Sequence, residues 1–427
     1  MIKKKTSIFF VGLLFLCSSM HGQDNALPPW QEGYLDIHHI STGRGNASFV
    51  LFPDGTSLVV DCGDMSETQT RVLSEKNTPL VPDDSKTPAQ WVSDYIYQFH
   101  PKKENAVIDY VLITHYHDDH FGEVDNIRKR HPDGGYLMTG ITELGSIIPI
   151  KKIIDRGSDF PVNFRDEEVQ KKIVSKGDPY SMIATLKEYW KFIDFHGKNR
   201  GMSHEKFTVG RNDQIGLNYK PEQFYDFKVK NLFANGEVWD ELNNKAYGYI
   251  KPEEYGYNGE NNELSTGIRI SYGSFDYYTG GDISGIDQHG QDNPNSMETK
   301  TAPVIGAVDV ATLNHHGNRS SMNTFFVMCL RPRVWIGQTW DASHPAGDVL
   351  RRITSRSLYP GERDVFANAM LESTKLVIGS MVDKSYKSQS GHLLVRVYPG
   401  GNNYSVFVLD DKTAKRDIKA KFNYSSK

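Results

Sequence analysis

The stretch "VLITHYHDDHFGEV", from Val111 to Val124, sets His115, His117, Asp118, Asp119 and His120 within six consecutive positions directly after an apolar run. Such groups are costly to crowd together, so the cluster asks for a chemical reason. At the end of a strand, residues two apart point the same way, which places His115 and His117 side by side. If the chain then turns into a helix, Asp119 and His120 fold back beside them. Imidazole nitrogens and a carboxylate, gathered without cysteine, suit zinc or a comparable transition metal such as manganese. Tyr116 and Asp118 would point away or support the ligands from behind. Two later strand ends repeat the theme: "DYYTGGD" presents Asp282, and "VATLNHHG" presents His315 and His316. Taken singly, Asp282 reads equally as a turn aspartate and His315 as a capped strand end. A chance polar loop is the bland alternative for the first cluster, and its density argues against that.

The elements that must carry these residues read as mixed α/β. The runs "SFVLF" and "SLVVD" flank "PDG" and form a hairpin whose second strand ends at Asp61. "AQWVSDYIYQF" has helical spacing, and "NAVIDYVLIT" is a buried strand that delivers the histidine cluster. "DHFGEVDNIRKRH" reads as a helix. From about residue 140 to 206 the pattern is that of a polar, helical insertion. Residues 235–264, roughly, are rich in Gly, Asn and Tyr with no apolar period, which reads as a long loop. Its tyrosines either pack or stack on bases or sugars. Strands resume in "STGIRISYG", "SFDYYTGGD", "VDVATL" and "RVWIGQT". A helix follows at "GDVLRRITS", then a hairpin in "GHLLVRVYPGGNNYSVFVLD". Strands alternating with helices in both halves predict one domain, a sheet sandwich with helices outside.

The first residues read as an export leader. Lys3, Lys4 and Lys5 precede an apolar run, Ile8 to Cys17, that is too short to span a bilayer. Cleavage is expected between Gly22 and Gln23, giving residues 1–22 as signal peptide, residues 23–427 as the mature domain, and a periplasmic or extracellular location. A lipoprotein reading at Cys17 is disfavoured because Leu16 is too large for the position before a lipidated cysteine. No later segment has the length and apolarity of a membrane span. Loss of the leader lysines leaves 46 basic against 53 acidic residues, a net charge of −7, which argues against a coat for general nucleic-acid binding. Between Lys151 and Lys206, twelve Lys/Arg against nine Asp/Glu are too slight an excess to define a backbone groove. Cys62 and Cys329 lie in no CxxC pair, which rules out a cysteine-based zinc cage and leaves their pairing open.

Asp61 after a strand, "HYHDDH", "GGD" and "NHHG", in that order, resemble the metallo-β-lactamase superfamily. Within it, "THYHDDHFGE", "TGGD", "HHGN", the opening "ISTGRGNASFVLFPDGTSLVVDCG" and "SHPAGDVLRRI" are similar to the hydrolase domain of the ComEC-type competence DNA-uptake proteins. The resemblance spans nearly all of the mature chain. It implies a four-layer αββα sandwich with a metal site at one edge between two sheets. It also implies that His115 and His117 hold a first metal, that Asp119, His120 and His315 hold a second, and that Asp282 bridges both. Asp61 would orient the histidine loop from behind. One departure stands out. The superfamily's third histidine for the first metal has no counterpart, and the matching place, "NNELS", offers Asn262 and Ser265. His196 and His204 fit no motif. One tight and one exchangeable ion is therefore an alternative to two tight ones.

The chemistry so implied is metal-dependent hydrolysis without a covalent intermediate. A metal pair brings the pKa of bound water toward neutrality, and the resulting hydroxide attacks a carbonyl or phosphoryl centre. Asp119 would accept or orient the water's proton. His316 would serve as proton donor if the chain turns at Gly317, with packing as the alternative role. His344 either lines the site edge or starts a helix, and His38 and His39 read as packing residues. Kinship with the competence proteins favours a phosphodiester, in a small molecule or in nucleic acid. Lactones, other esters and β-lactams remain open to the same site, and a non-catalytic secreted binding protein that keeps the fold is the rival of a different class.

Overall fold

The computed structural model describes residues 25–427, so the expected leader and Cys17 lie outside the described residues. Six strands come first: β1 (Leu35–His39), β2 (Ala47–Leu51), β3 (Ser57–Cys62), β4 (Ile108–Ile113), β5 (Ile150–Asp155) and β6 (Ser203–Lys206). The next nine are β7 (Phe227–Ala234), β8 (Glu237–Asp240), β9 (Lys245–Gly248), β10 (Gly267–Tyr272), β11 (Phe275–Thr279), β12 (Val310–Thr312), β13 (Val334–Gly337), β14 (Asp364–Ala367) and β15 (Tyr386–Ser388). The chain closes with β16 (His392–Val397), β17 (Asn403–Leu409) and β18 (Ile418–Ser425). The first sheet runs β18-β17-β16-β1-β2-β3-β4-β5-β6, and the second runs β15-β14-β13-β12-β11-β10-β7-β8-β9. Among the described residues no helix is long and apolar enough to cross a membrane.

The alternation of side chains across each strand sorts the core into layers. In β4, Tyr110 and Leu112 join a cluster built from both sheets, whose other members include Ile37, Val50, Ile270 and Val310. Val111 and Ile113 of the same strand face the opposite way, toward Val92 and Ile96 of the helix Pro88–Phe99 and Leu186 of the helix Met182–Arg200. On the far side of the second sheet, Ala311 and Trp335 pack with Phe326, Val327 and Leu350 of the helices Thr324–Leu330 and Gly347–Thr354. Two sheets face to face, each backed by helices, make the expected αββα layers.

Three local expectations change. The polar segment from 140 to 206 contains β5 and β6, which pair parallel to β4 and to each other and so extend the first sheet. Its three helices, Gly140–Ile147, Glu167–Ser175 and Met182–Arg200, therefore belong to the fold's outer layer. The Gly/Asn/Tyr-rich stretch supplies β8 and β9, an antiparallel pair at the second sheet's edge, where a ladder forms without an apolar face. The helix after the histidine cluster is four residues long, Asp118–Phe121, because Gly122 adopts φ +105° and ends it. Cys62 is buried and Cys329 half-buried, and both are free thiols.

Candidate metal centre

The carboxyl ends of β3 and β4 from one sheet and of β11 and β12 from the other meet at one edge of the sandwich. Asp61, the penultimate residue of β3, has a left-handed backbone, φ +59°. Its carboxylate accepts from the Thr114 backbone N–H and hydroxyl, each at 2.8 Å, and from His120 Nδ1 at 2.7 Å. A carboxylate can only accept, so Nδ1 carries a proton and Nε2 is the ring atom turned toward the centre. His316 is fixed the same way, its Nδ1 donating to the Gln338 carbonyl at 2.9 Å. The main chain at Asp119 is clamped by glycines. Asn46 N donates to the Asp119 carbonyl at 2.7 Å, and a Cβ on either Gly45 or Gly63 would stand 2.1 Å from that oxygen. This explains why "GRGN" and "DCGD" flank the hairpin: only glycine allows that approach.

Four imidazoles converge on Asp282. His120 Nε2 lies 3.1 Å from its Oδ1, and His316 Nε2 lies 3.3 Å from its Oδ2. His115 Nε2 and His315 Nε2 each lie 3.9 Å from Oδ2. The tightest group is Asp119, His120, Asp282 and His316, whose ligand atoms all lie within 4.8 Å of one another. His316 Nε2 is 2.9 Å from Asp119 Oδ2. His316 thus stands beside Asp119 and His120, where His315 was expected. The reason is the backbone: His315 and His316 both take left-handed conformations, φ +47° and +56°, so strand alternation no longer governs which ring faces inward. His315 stands on the other side of Asp282, its Nε2 3.4 Å from Asn262 Nδ2 and its Nδ1 2.9 Å from Ser320 Oγ. His117 packs its ring against His115 at 4.8 Å, with Nε2 3.4 Å from the Gly259 carbonyl.

The electrostatics suit a cation. Burial alone would raise the Asp119 and Asp282 carboxyls, but the neighbouring His120 and His316 rings outweigh it and hold both below the usual carboxylate range. Burial disfavours a charged His316, yet Asp282 and Asp119 push it up to about 10, and the same acids hold His120 well above its ordinary value. For His115, burial and the nearby His120 ring push the pKa well down, and burial lowers His315 as well. Two carboxylates therefore demand positive charge at their centre, while His115 and His315 beside them stay neutral, with the His115 Nε2 lone pair free. Buried His115 Nε2 has no hydrogen-bond partner, and Asp282 Oδ1 has only the His120 ring nitrogen near it. Unpartnered donor atoms of this kind, gathered in one place, fit a divalent ion.

A cleft of about 380 Å³ opens over the cluster. Arg71, which pairs with Asp118 and lies 4.8 Å over the Tyr180 ring, forms one wall, and Trp340 and His344 form another. Ser265 Oγ accepts from the Asp282 backbone N–H at 3.1 Å, so it positions Asp282. His196 pairs with the Tyr136 hydroxyl at 2.8 Å and His204 with Asp155 at 2.8 Å, and neither joins the cluster. His38 and His39 are fully buried, as packing residues. Arg71, Tyr180, Trp340 and the Gln338 carbonyl escaped the sequence reading. Only "GQTW", directly after a strand, carried a signal, since strand ends gather sites.

Among solved structures, the chain is similar to a candidate metal-dependent hydrolase of Parabacteroides distasonis, at 13% identity over 81% of this chain and 97% of that one, with a TM-score of 0.32. It is also similar to the short form of human tRNase Z, at 14% identity over 70% of this chain and 91% of that one, with a TM-score of 0.30. No curated protein matches it. Residues 41–171, from the first hairpin past the histidine cluster and into the helix Glu167–Ser175, match the model of the metallo-β-lactamase superfamily, and with the two large sheets this identifies the metallo-β-lactamase fold, with a buried His/Asp cluster as its candidate metal site.

Proposed function

We propose that the chain is an exported metal-dependent hydrolase of a phosphodiester or related ester, working with zinc or manganese. The observation that carries the reading is the convergence of four histidine Nε2 atoms on the Asp282 carboxylate. Asp119, His120, Asp282 and His316 would hold one ion. His115, His117 and His315 would hold the other against Asp282, so that His315 fills the place for which the sequence offers no third histidine. Bound ions there supply Lewis-acid activation of water and neutralise charge on the group attacked.

The chain's own residues do the rest. Asp61 and the Gln338 carbonyl lock the His120 and His316 rings, so neither needs to reorganise during reaction. Asp119 Oδ2 at the cleft floor is the natural acceptor for the proton of the attacking water. Arg71, half-exposed on the wall, offers a guanidinium to an anionic substrate group. The motifs shared with the competence DNA-uptake proteins favour a phosphodiester over a lactone or β-lactam. Protein purified without chelator should carry close to two zinc or manganese ions per chain and hydrolyse bis(p-nitrophenyl) phosphate. Asp119→Ala should lose metal and activity together. No metal in either protein, even after added zinc, would overturn the reading and leave a non-catalytic binding protein.

A further inference from the structure

We propose that the cleft continues into an apolar subsite that takes the aliphatic chain of an amphiphilic ester, with the scissile group over Asp282. The inference rests on the hydrolase reading above. A second cavity of about 440 Å³ lies between the Pro345–Gly347 turn and the helix Glu372–Ile378. Asn318 and Ser343 line both this cavity and the metal cleft, so the two adjoin. Asn318 Nδ2 donates to Ser343 Oγ at 3.4 Å, forming a sill between them.

Across the sill the chemistry of the wall changes. The metal side presents imidazoles, carboxylates and amides. The far side presents Ala342, Pro345, Ala346, Val377 and Ile378. Val377 is 86% exposed, and its neighbour Leu376 is 84% exposed. The helix bearing them is pinned from beneath, the Thr374 hydroxyl donating to the Ala342 carbonyl at 2.8 Å. Val377 therefore stands in water at the rim of the second cavity, with Leu376 exposed beside it. Side chains so placed gain from a ligand that is polar at one end and apolar at the other. A hydrated sugar–phosphate backbone gains nothing from such walls. Arg319 lines the same depression, so an anionic group carried beside the chain would meet a guanidinium.

The test uses the zinc-loaded full chain with p-nitrophenyl acetate, p-nitrophenyl octanoate and bis(p-nitrophenyl) phosphate, beside Val377→Glu and Leu376→Glu. Both positions are exposed, so the variants should fold. The octanoate ester should show a KM at least about tenfold below the acetate, a cautious reading of six added methylenes. Val377→Glu should erase that difference and leave the chainless phosphodiester unchanged. Independently of turnover, anilinonaphthalene sulfonate bound to the protein should be displaced by octanoate, and Val377→Glu should abolish that displacement. Equal KM values for the two esters, or a preference that survives Val377→Glu, would overturn the subsite. Equal KM values together with binding to phosphatidylglycerol vesicles would also overturn it, assigning the aliphatic pair to a membrane surface. Octanoate displacement that depends on Val377, with no turnover of any ester, would overturn the hydrolase reading while leaving the subsite standing.

Discussion

Asp61→Asn separates the orientation of the centre from its ligands. The wild-type carboxylate holds three donors at 2.7–2.8 Å: the Thr114 N–H, the Thr114 hydroxyl and His120 Nδ1. In the variant, the amide oxygen can keep the Thr114 N–H, and the Thr114 hydroxyl can turn to accept. The amide NH₂ then faces His120 Nδ1, which must become the acceptor. The proton moves to Nε2, the atom 3.1 Å from Asp282 that should face the ion. Loss of such a supporting partner lowers metal affinity by roughly 10- to 100-fold, or about 1.4–2.8 kcal/mol. One charge-assisted bond lost from the metal-free fold costs about 1.5–3 kcal/mol, which should leave the chain folded. Zinc competition against a chromophoric chelator, with thermal unfolding of the metal-free protein as control, reads both effects. The loss should fall on one equivalent, the ion at Asp119, His120 and His316. Wild-type affinity for both equivalents in Asp61→Asn, alongside clear loss in His120→Ala, would refute the orienting role.

Other outcomes follow from the same geometry. His316→Ala should lose the ion held with Asp119 and His120, whereas His315→Ala should lose the ion beside His115 and His117, and bound-metal analysis distinguishes the two. Gly63→Ala should disrupt the loop at Asp119, because its Cβ would meet the Asp119 carbonyl at 2.1 Å; metal stoichiometry should fall even where circular dichroism shows a folded chain. Fully buried Glu298 accepts from Asn314 Nδ2 and the Met322 and Asn323 N–H groups, and burial pushes its carboxyl up to about 7. The native chain therefore keeps a proton that the unfolded chain releases above its ordinary value of 4.5. Stability from this group is complete below about pH 4.5 and is lost as pH rises through 7, by roughly 3 kcal/mol in all. Glu298→Gln should flatten that part of the slope in denaturant titrations of the metal-free protein, leaving a remainder from Glu143 and Glu263, which burial also raises to about 7.

Much of this protein was written in local sequence. The apolar period of β4, the turn at Pro53–Gly55 and the crowding of three histidines and two aspartates after an apolar run are short-range patterns, so they predicted strands, a hairpin and a metal-competent strand end. The order of Asp61, "HYHDDH", "GGD" and "NHHG" carried the resemblance to the metallo-β-lactamase superfamily, and that resemblance implied two sheets meeting at a site. Strands β5, β6, β8 and β9 fill the last two places at one end of each sheet, and the edge strands β6 and β9 are short and largely exposed, so their pairing comes from a neighbouring strand rather than from an apolar period. The same limit applied at the centre. Which histidine of "NHHG" faces Asp119 is set by two left-handed residues, a choice that depends on the loop's anchorage at Gln338 and Ser320 and not on spacing. The residue types pointed to a cation site; only the meeting of two sheets, which brings Asp282 within 3.9 Å of four imidazoles from distant parts of the chain, gave it a geometry, since long-range packing sets distances that sequence separation does not encode.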